Sequence, residues 1–405
     1  MKILFISEYY PPKIKGGGEI NLSTLVTTLA KAGHTITVLT SYFPGLPAAE
    51  EQEGIKIYRR LKTGENPGSI RSNLTRSLLF PFSVKRETKK IVPEINPDVI
   101  HFIGTSIIAA PTLKSLNKPL FATIESYPTL CPKGDRWYHG KEECKIVCSL
   151  RKFASCQKDS DEIGKMKNKW YLKYNLFFLA YTYYYYKKMN KALSYCTLLS
   201  ISGYVQQLLL QQNHHSQVIP NILDLHPFSW AKRKDKPKKE DRKVRILYLG
   251  SLLKSKGPQI LLEALKGINC RCDLYGEGNL KPELQNIIEK NELDAEIHPP
   301  VPYEKIPKLY ADTDIVVFPS IWPEPFGRIA IESMAAGKVI IASNIGAIPE
   351  IVGEKGIVVS PGDVQELRAA IITAISTAPK QKAVLSYYGS SAVISHLLQM
   401  YEERL

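Results

Sequence analysis

At 405 residues with 44% hydrophobic content, the chain exceeds what one hydrophobic core usually organises, so two domains of roughly 200 residues are expected. Lysine and arginine (54) exceed aspartate and glutamate (39) by 15, which favours polyanionic partners; paired CxxC and HxxxH ligands and an aromatic ribonucleoprotein motif are missing, so nucleic acid is set aside in favour of a membrane surface. Lys173, Lys187 and Lys188 break the most aromatic stretch, and the Met1–Ile6 run is too short for a secretory signal, so the expectation is a cytoplasmic protein without a membrane span, peripheral on the cytoplasmic face of the plasma membrane.

Lys2 to Ser7 reads as a buried strand. It is followed by Pro11-Pro12, the glycine run Gly16-Gly17-Gly18-Glu19, an apolar-periodic helix from about Ile20 to Ala32 ended by Gly33, and a second strand from Thr35 to Thr40. This order is a βαβ unit of a parallel sheet. The glycine run lacks the G-x-G-x-x-G spacing of a dehydrogenase; it is either a loop offering amides to an anion or a plain turn. Further strands are expected at Gly54 to Tyr58, Val99 to Phe102, Leu120 to Ile124 and Thr197 to Ser202. The stretch from Lys232 to Lys243, with eight basic and three acidic residues and no apolar periodicity, reads as a solvated interdomain linker.

The strand–loop–helix logic then repeats: a strand from Val244 to Leu249, a lysine-bearing loop after Gly250, and a helix from about Pro258 to Lys266. Strands follow at Cys272 to Tyr275, Ile315 to Pro319 and Val339 to Ala342, with a last helix near Ser390 to Glu403. Between the last two of these strands, Glu324-Pro325-Phe326-Gly327 opens a helix whose Ile329, Ala330, Met334 and Ala335 suit a buried face ending at Gly337. Glu332 lies two turns along it, so two carboxylates flank a helix start that attracts anions.

This segment, with the run from Tyr310 to Ser320 before it and Gly337 to Ser343 and Pro349-Glu350 after it, resembles the E-x7-E region of retaining glycosyltransferases of the GT-B type, glycosyltransferase family 4 or group 1. The resemblance implies an α/β GT-B fold of two facing Rossmann-like domains. Residues 1–228 would bind the acceptor and residues 244–380 the nucleotide sugar, while 381–405 would form a C-terminal helix packing back on the N-terminal domain. It implies that Glu324 contacts the donor sugar, that Phe326 and Gly327, next to Pro325, offer backbone groups to its hydroxyls, and that Glu332 binds the ribose. Physically, carboxylates accept from vicinal hydroxyls and glycine lets backbone approach closely.

Gly250 to Gly257 resembles the family's G-R-L-x-x-x-K-G segment. Lys256 matches the lysine that neutralises the departing diphosphate, whereas Ser251 stands where arginine is usual. Gly276-Glu277-Gly278 resembles the glycine turn beside the nucleotide, and His298-Pro299-Pro300-Val301 falls where the base is read. Gly17 and Gly18 would meet the diphosphate. Thr123 to Lys133 resembles a T-x-H-D-x-x-x-x-C-P-R segment, but Glu125 replaces the histidine that touches the donor near its reacting carbon and Ser126 replaces the aspartate. A carboxylate there either stabilises positive charge at the anomeric carbon or marks an altered activity.

Cys131, Cys144, Cys148 and Cys156 cluster, with 12, 3 and 7 residues between successive members; they are a candidate structural zinc site, with disulfides or free thiols as the alternatives. Lys165 to Lys191 holds seven lysines, ten aromatics including Trp170, Tyr171 and Tyr183 to Tyr186, and no acid. It suits a lipid interface, to which Lys85, Arg86, Lys89 and Lys90 add charge, or a helix packed on its own domain.

The expectation is a retaining hexosyltransferase moving a hexose from a UDP- or GDP-linked sugar to a lipid-linked or glycan acceptor at the cytoplasmic membrane face, with no cofactor required for catalysis. The departures at Glu125 and Ser251 leave a second reading: a nucleotide-sugar-binding protein with impaired catalysis that acts as a partner or scaffold.

Overall fold

The computed structural model describes residues 1–14, 16–65, 72, 75–139, 142–158, 175–229, 242–377 and 388–405. Trp170 and Tyr171, and most of the expected linker, lie outside the described residues. The chain divides into two compact units, 1–223 with 388–405 and 224–387. Residues 224–228, expected in the first domain, group with the second because Phe228 packs its ring against Tyr303 and Tyr310.

The N-terminal unit is built on an eight-stranded sheet. Its strands are β1 (Lys2–Ile6), β2 (Thr35–Ser41), β3 (Ala49–Gln52), β4 (Ile55–Leu61), β5 (Val99–Ile103), β6 (Leu120–Ile124), and, after a two-stranded hairpin of β7 (Trp137–Tyr138) and β8 (Glu142–Glu143), β9 (Thr197–Ser200) and β10 (Ser216–Val218). The order is β10-β9-β6-β5-β1-β2-β4-β3, parallel except for the β3–β4 edge pair. β5 is buried at every position, as a central parallel strand covered on both faces must be. β3 and β10 carry no periodic apolar signal, which is why sequence reasoning passed over them. Ser202, expected at the end of β9, instead caps the next helix by accepting from Val205 N.

The helices that matter here are α1 (Gly17–Lys31), α2 (Phe80–Ile95), α3 (Leu150–Lys158) and α4 (Leu176–Leu193). Leu22, Leu25 and Leu29 of α1 share a core with Val393, Leu397 and Met400 of the C-terminal helix, Ser390–Glu402, which is thus part of this unit. Tyr401 anchors that helix: its ring meets Phe121 edge-on at 4.8 Å and its hydroxyl pairs with His101 Nδ1. Burial drops the His101 pKa to about 3, so the imidazole is a neutral strut between Tyr401 and Thr123.

The second unit has an all-parallel six-stranded sheet: β11 (Val244–Leu249), β12 (Cys270–Tyr275), β13 (Ala295–His298), β14 (Ile315–Phe318), β15 (Val339–Ser343) and β16 (Ile357–Val359), in the order β13-β12-β11-β14-β15-β16. Its helices include α5 (Pro258–Ala264), α6 (Arg328–Ala335) and α7 (Val364–Thr377). Strand order reverses between β11 and β14. In open α/β sheets that reversal opens a crevice at the carboxyl ends of the two strands, where ligands bind.

Candidate active site

The loops leaving β11 and β14 hold Lys256 and Glu324. Gly257 makes their meeting sterically feasible: at φ +72° it presses against Pro319, and a Cβ there would sit 1.9 Å from the Pro319 carbonyl oxygen. The two loops are stitched by Ile321 N and Trp322 N, both donating to Ser255 O at 2.9 and 3.1 Å. Lys256 Nζ then donates to Glu324 Oε1 at 2.6 Å and lies 4.3 Å from the centre of the Trp322 ring. Glu324 is 7% exposed, and Lys256 keeps about a quarter of its side-chain surface open. A mostly buried carboxylate thus sits beside a cation that solvent still reaches.

The third loop, after β12, closes in by the same device. A Cβ on Gly276 would fall 1.9 Å from Gly250 O, and Leu252 N donates to Glu277 O at 2.8 Å. Ser251 is exposed, and its carbonyl accepts from Tyr248 Oη at 2.9 Å. His298, at the end of β13, stacks on Tyr275 at 4.4 Å and pairs with Asp273 at 3.0 Å.

Helix α6 starts one residue after Gly327, without a side-chain cap, and ends at Gly337 in the left-handed region. Pro325 therefore lies in the loop, ahead of the first turn. Phe326 is buried, and Gly327 abuts Ile348 and Ile351. Glu332, one turn into the helix from Arg328, is 2% exposed. Its Oε1 accepts from Arg328 Nε at 2.7 Å and Tyr303 Oη at 2.8 Å, and Oε2 from Tyr310 Oη at 3.4 Å. Burial raises its pKa and the Arg328 cation opposes the rise. Tyr303 and Arg328 thus cover this carboxylate, and because the tyrosines lie outside α6 their cover is not legible from the helix pattern.

In the N-terminal unit the strand order reverses between β1 and β5, and the candidate residues gather near this sheet's carboxyl edge. Gly17 and Gly18 form the first turn of α1, where the Glu19 carboxylate accepts from Gly16 N at 2.8 Å. Glu125, just past β6, reaches this turn: a Cβ on Gly18 would lie 2.7 Å from its Oε2. Asn21 Nδ2 donates to Glu125 Oε1 at 2.9 Å, and Asn21 Oδ1 is itself fixed by Ile222 N at 2.8 Å. Desolvation pushes the Glu125 pKa up to about 7; Asn21 opposes the shift and the nearby Glu19 charge adds to it.

Sequence reasoning missed Glu8, which is buried just beyond β1. It takes a bidentate pair from Arg76 at 2.7 and 2.9 Å and hydroxyl bonds from Thr63 and Thr105. Its position directly after a buried first strand was the available signal.

Both units are Rossmann-like, and the solved structures that share this fold are GT-B glycosyltransferases. Sucrose-phosphate synthase from Thermosynechococcus elongatus is similar with a TM-score of 0.69 at 18% identity, covering 99% of this chain and 98% of its own. Anabaena HepE in complex with UDP-glucose gives 0.62 at 18%, covering 100% and 98%.

The family follows from the sequence models. Residues 15–226 match Glycosyltransferase Family 4 and residues 229–391 match Glycosyl transferases group 1, so the chain belongs to this glycosyltransferase family. An uncharacterized glycosyltransferase of Methanocaldococcus jannaschii is 24% identical over 373 residues, 87% of this chain and 83% of that protein. Glycogen synthase of Mycobacterium tuberculosis is 24% identical over 394 residues, 92% of this chain and 85% of its own length.

Proposed function

We propose that this glycosyltransferase moves a hexose from a nucleoside diphosphate sugar, UDP- or GDP-linked, to a lipid-linked or glycan acceptor with retention at the anomeric carbon. The observation that carries the reading is the Lys256–Glu324 pair at the β11/β14 reversal. Solved HepE complexes with UDP and UDP-glucose, similar to this chain in fold, agree with such a donor.

In this mechanism Lys256 turns from Glu324 to the diphosphate and offsets the charge that grows as the anomeric C–O bond breaks. Glu324 accepts from sugar hydroxyls, and the α6 N-terminus faces the anionic group. The acceptor hydroxyl attacks the face the diphosphate leaves, and its proton passes to the departing phosphate oxygen. Glu332 binds the ribose once Tyr303 or Arg328 gives way. Glu125, ionised, stabilises the positive charge developing at the anomeric carbon. No step needs a cofactor.

Two features support action at a membrane surface. Leu176 and Phe177 of α4, Leu78 and Leu79 in the turn ahead of α2 and Phe82 in its first turn are exposed, and Tyr181 Oη of α4 donates to Ser77 O of that turn at 2.6 Å. Lys85 of α2 lies close enough to Lys188 of α4 for their charges to interact, and the exposed Lys187 and Lys188 add positive charge to these helices, which suits an anionic lipid interface. No helix among the described residues is long and apolar enough to cross a membrane.

A thermal-shift screen against UDP-, GDP- and ADP-sugars, with Lys256→Met in parallel, tests the proposal. Stabilisation by one donor that the variant loses supports it; no response to any donor overturns the donor site. Donor binding without transfer or donor hydrolysis would favour the reading in which Ser251 and Glu125 mark impaired catalysis.

A further inference from the structure

Outside the donor site, the segment between β6 and α4 is the least conventional part of the molecule. The described residues of 131–156 hold the two-residue strands β7 and β8 and most of α3, and several of them line a small cavity. Such a stretch has little sheet or helix to hold it and needs another constraint. Cys131, Cys144, Cys148 and Cys156 all line that space, a cavity of about 10 Å³, the size of one water-sized sphere. All four are free thiols; Cys131, Cys144 and Cys156 are buried and Cys148 is half-buried.

Three of the thiols are hydrogen-bonded in their neutral form, Cys144, Cys148 and Cys156 Sγ donating to the Ile146, Ser149 and Trp137 carbonyls, and other polar groups face the same sulfurs. In the turn after Cys131-Pro132 the Gly134 N–H donates to the Cys131 carbonyl at 2.9 Å, the backbone of Asp135 and Arg136 favours the charged form of the Cys131 sulfur, and His139 N donates to Cys156 Sγ at 3.4 Å. Lys133 and Lys152 line the same cavity. Arg136 is 2% exposed, lines it as well, and holds a backbone φ of +56°; among the described residues its Nε and Nη2 have no hydrogen-bond partner and no carboxylate pairs with it. A buried guanidinium without a counter-charge costs several kcal/mol. Four thiolates around a dication carry a net charge of −2, which is the complement this arginine lacks.

We propose that Cys131, Cys144, Cys148 and Cys156 bind one structural zinc ion, with Arg136 as the buried counter-charge to the tetrathiolate. The ion ties the turn after β6, the β7–β8 hairpin and α3 together and leaves no coordination position for substrate. Binding releases the thiol protons and draws in the sulfurs, no three of which lie within 4.8 Å of one another here. Among the described residues the tighter group is Asp273, Glu296 and His298, but Arg271 already bonds both of its carboxylates, which lessens its demand for a cation.

Elemental analysis of the full chain, purified under reducing conditions, together with the visible spectrum of the cobalt-substituted protein, tests the assignment. One zinc per chain and a tetrahedral cobalt–thiolate spectrum are expected. Cys148→Ser should lose the metal, whereas Cys196→Ser, remote in sequence from the cluster, should keep it. Arg136→Met should speed zinc loss to a chelator about tenfold, with Arg136→Lys restoring much of the retention. A metal-free wild-type chain with seven titratable thiols, or one with disulfides among these four cysteines, overturns the proposal. The wild-type metal content decides the matter even if a variant fails to fold.

Discussion

Glu125→Gln separates two consequences of one buried carboxyl. Its pKa rises from an ordinary 4.5 to about 7, which corresponds to about 3 kcal/mol by which ionisation is disfavoured in the folded protein, trimmed to about 2 kcal/mol by solvent at its exposed edge. Because the folded state holds the proton more tightly than the unfolded state, stability is highest below pH 4.5. It falls as pH rises to about 7 and stays low above that. The glutamine is neutral throughout and still accepts from Asn21. Glu125→Gln should therefore match the wild type near pH 4.5 and exceed it by about 2 kcal/mol at pH 8.5, a Tm gain of roughly 4–8 °C for a unit of this size. Activity should run the other way: if the ionised carboxylate serves the transition state, wild-type kcat/KM rises through pH 7, and the variant loses about 100-fold with that rise abolished. Thermal unfolding of both proteins from pH 4.5 to 8.5, paired with transfer assays, reads both effects. A Tm difference independent of pH, or a variant less stable at pH 8.5, would refute the reasoning.

Other substitutions probe the remaining contacts. Lys256→Met should lower kcat/KM by about 100-fold or more while leaving the fold cooperative, as seen by circular dichroism. Gly257→Ala places a methyl 1.9 Å from Pro319 O at a positive φ and should destabilise the second unit by about 3 kcal/mol or more, measured by denaturant unfolding. Tyr303→Phe removes one donor from buried Glu332 and should cost about 1–3 kcal/mol of stability; if Tyr303 must move for ribose to bind, donor affinity measured by calorimetry should fall by less than in Glu332→Gln. Phe177→Asp should cut co-sedimentation with anionic vesicles several-fold at low salt without changing transfer to a soluble acceptor; unchanged co-sedimentation would rule out this apolar group as the docking surface.

Periodicity and punctuation determined much of this protein by themselves. The strands at 120–124 and 244–249 are short, largely apolar runs, and burial of most of their residues on both faces suits central parallel strands. Gly33 and Gly337 stop helices because only a residue without Cβ enters the left-handed region freely, a local rule that needs no tertiary partner. Glu324 and Lys256 were legible as candidates through the loops they sit in, but their 2.6 Å contact depends on Gly257 packing against Pro319, more than sixty residues away in the chain. Tertiary structure alone decided the rest. Glu332 is covered because Tyr303 and Tyr310 come in from a turn and helix ahead of β14, and burial beside α1 raises the Glu125 pKa although Asn21 of that helix opposes the rise. Desolvation and covering are properties of what surrounds a group, and apart from Arg328 the named residues that surround these two carboxylates are close in space but far apart in sequence.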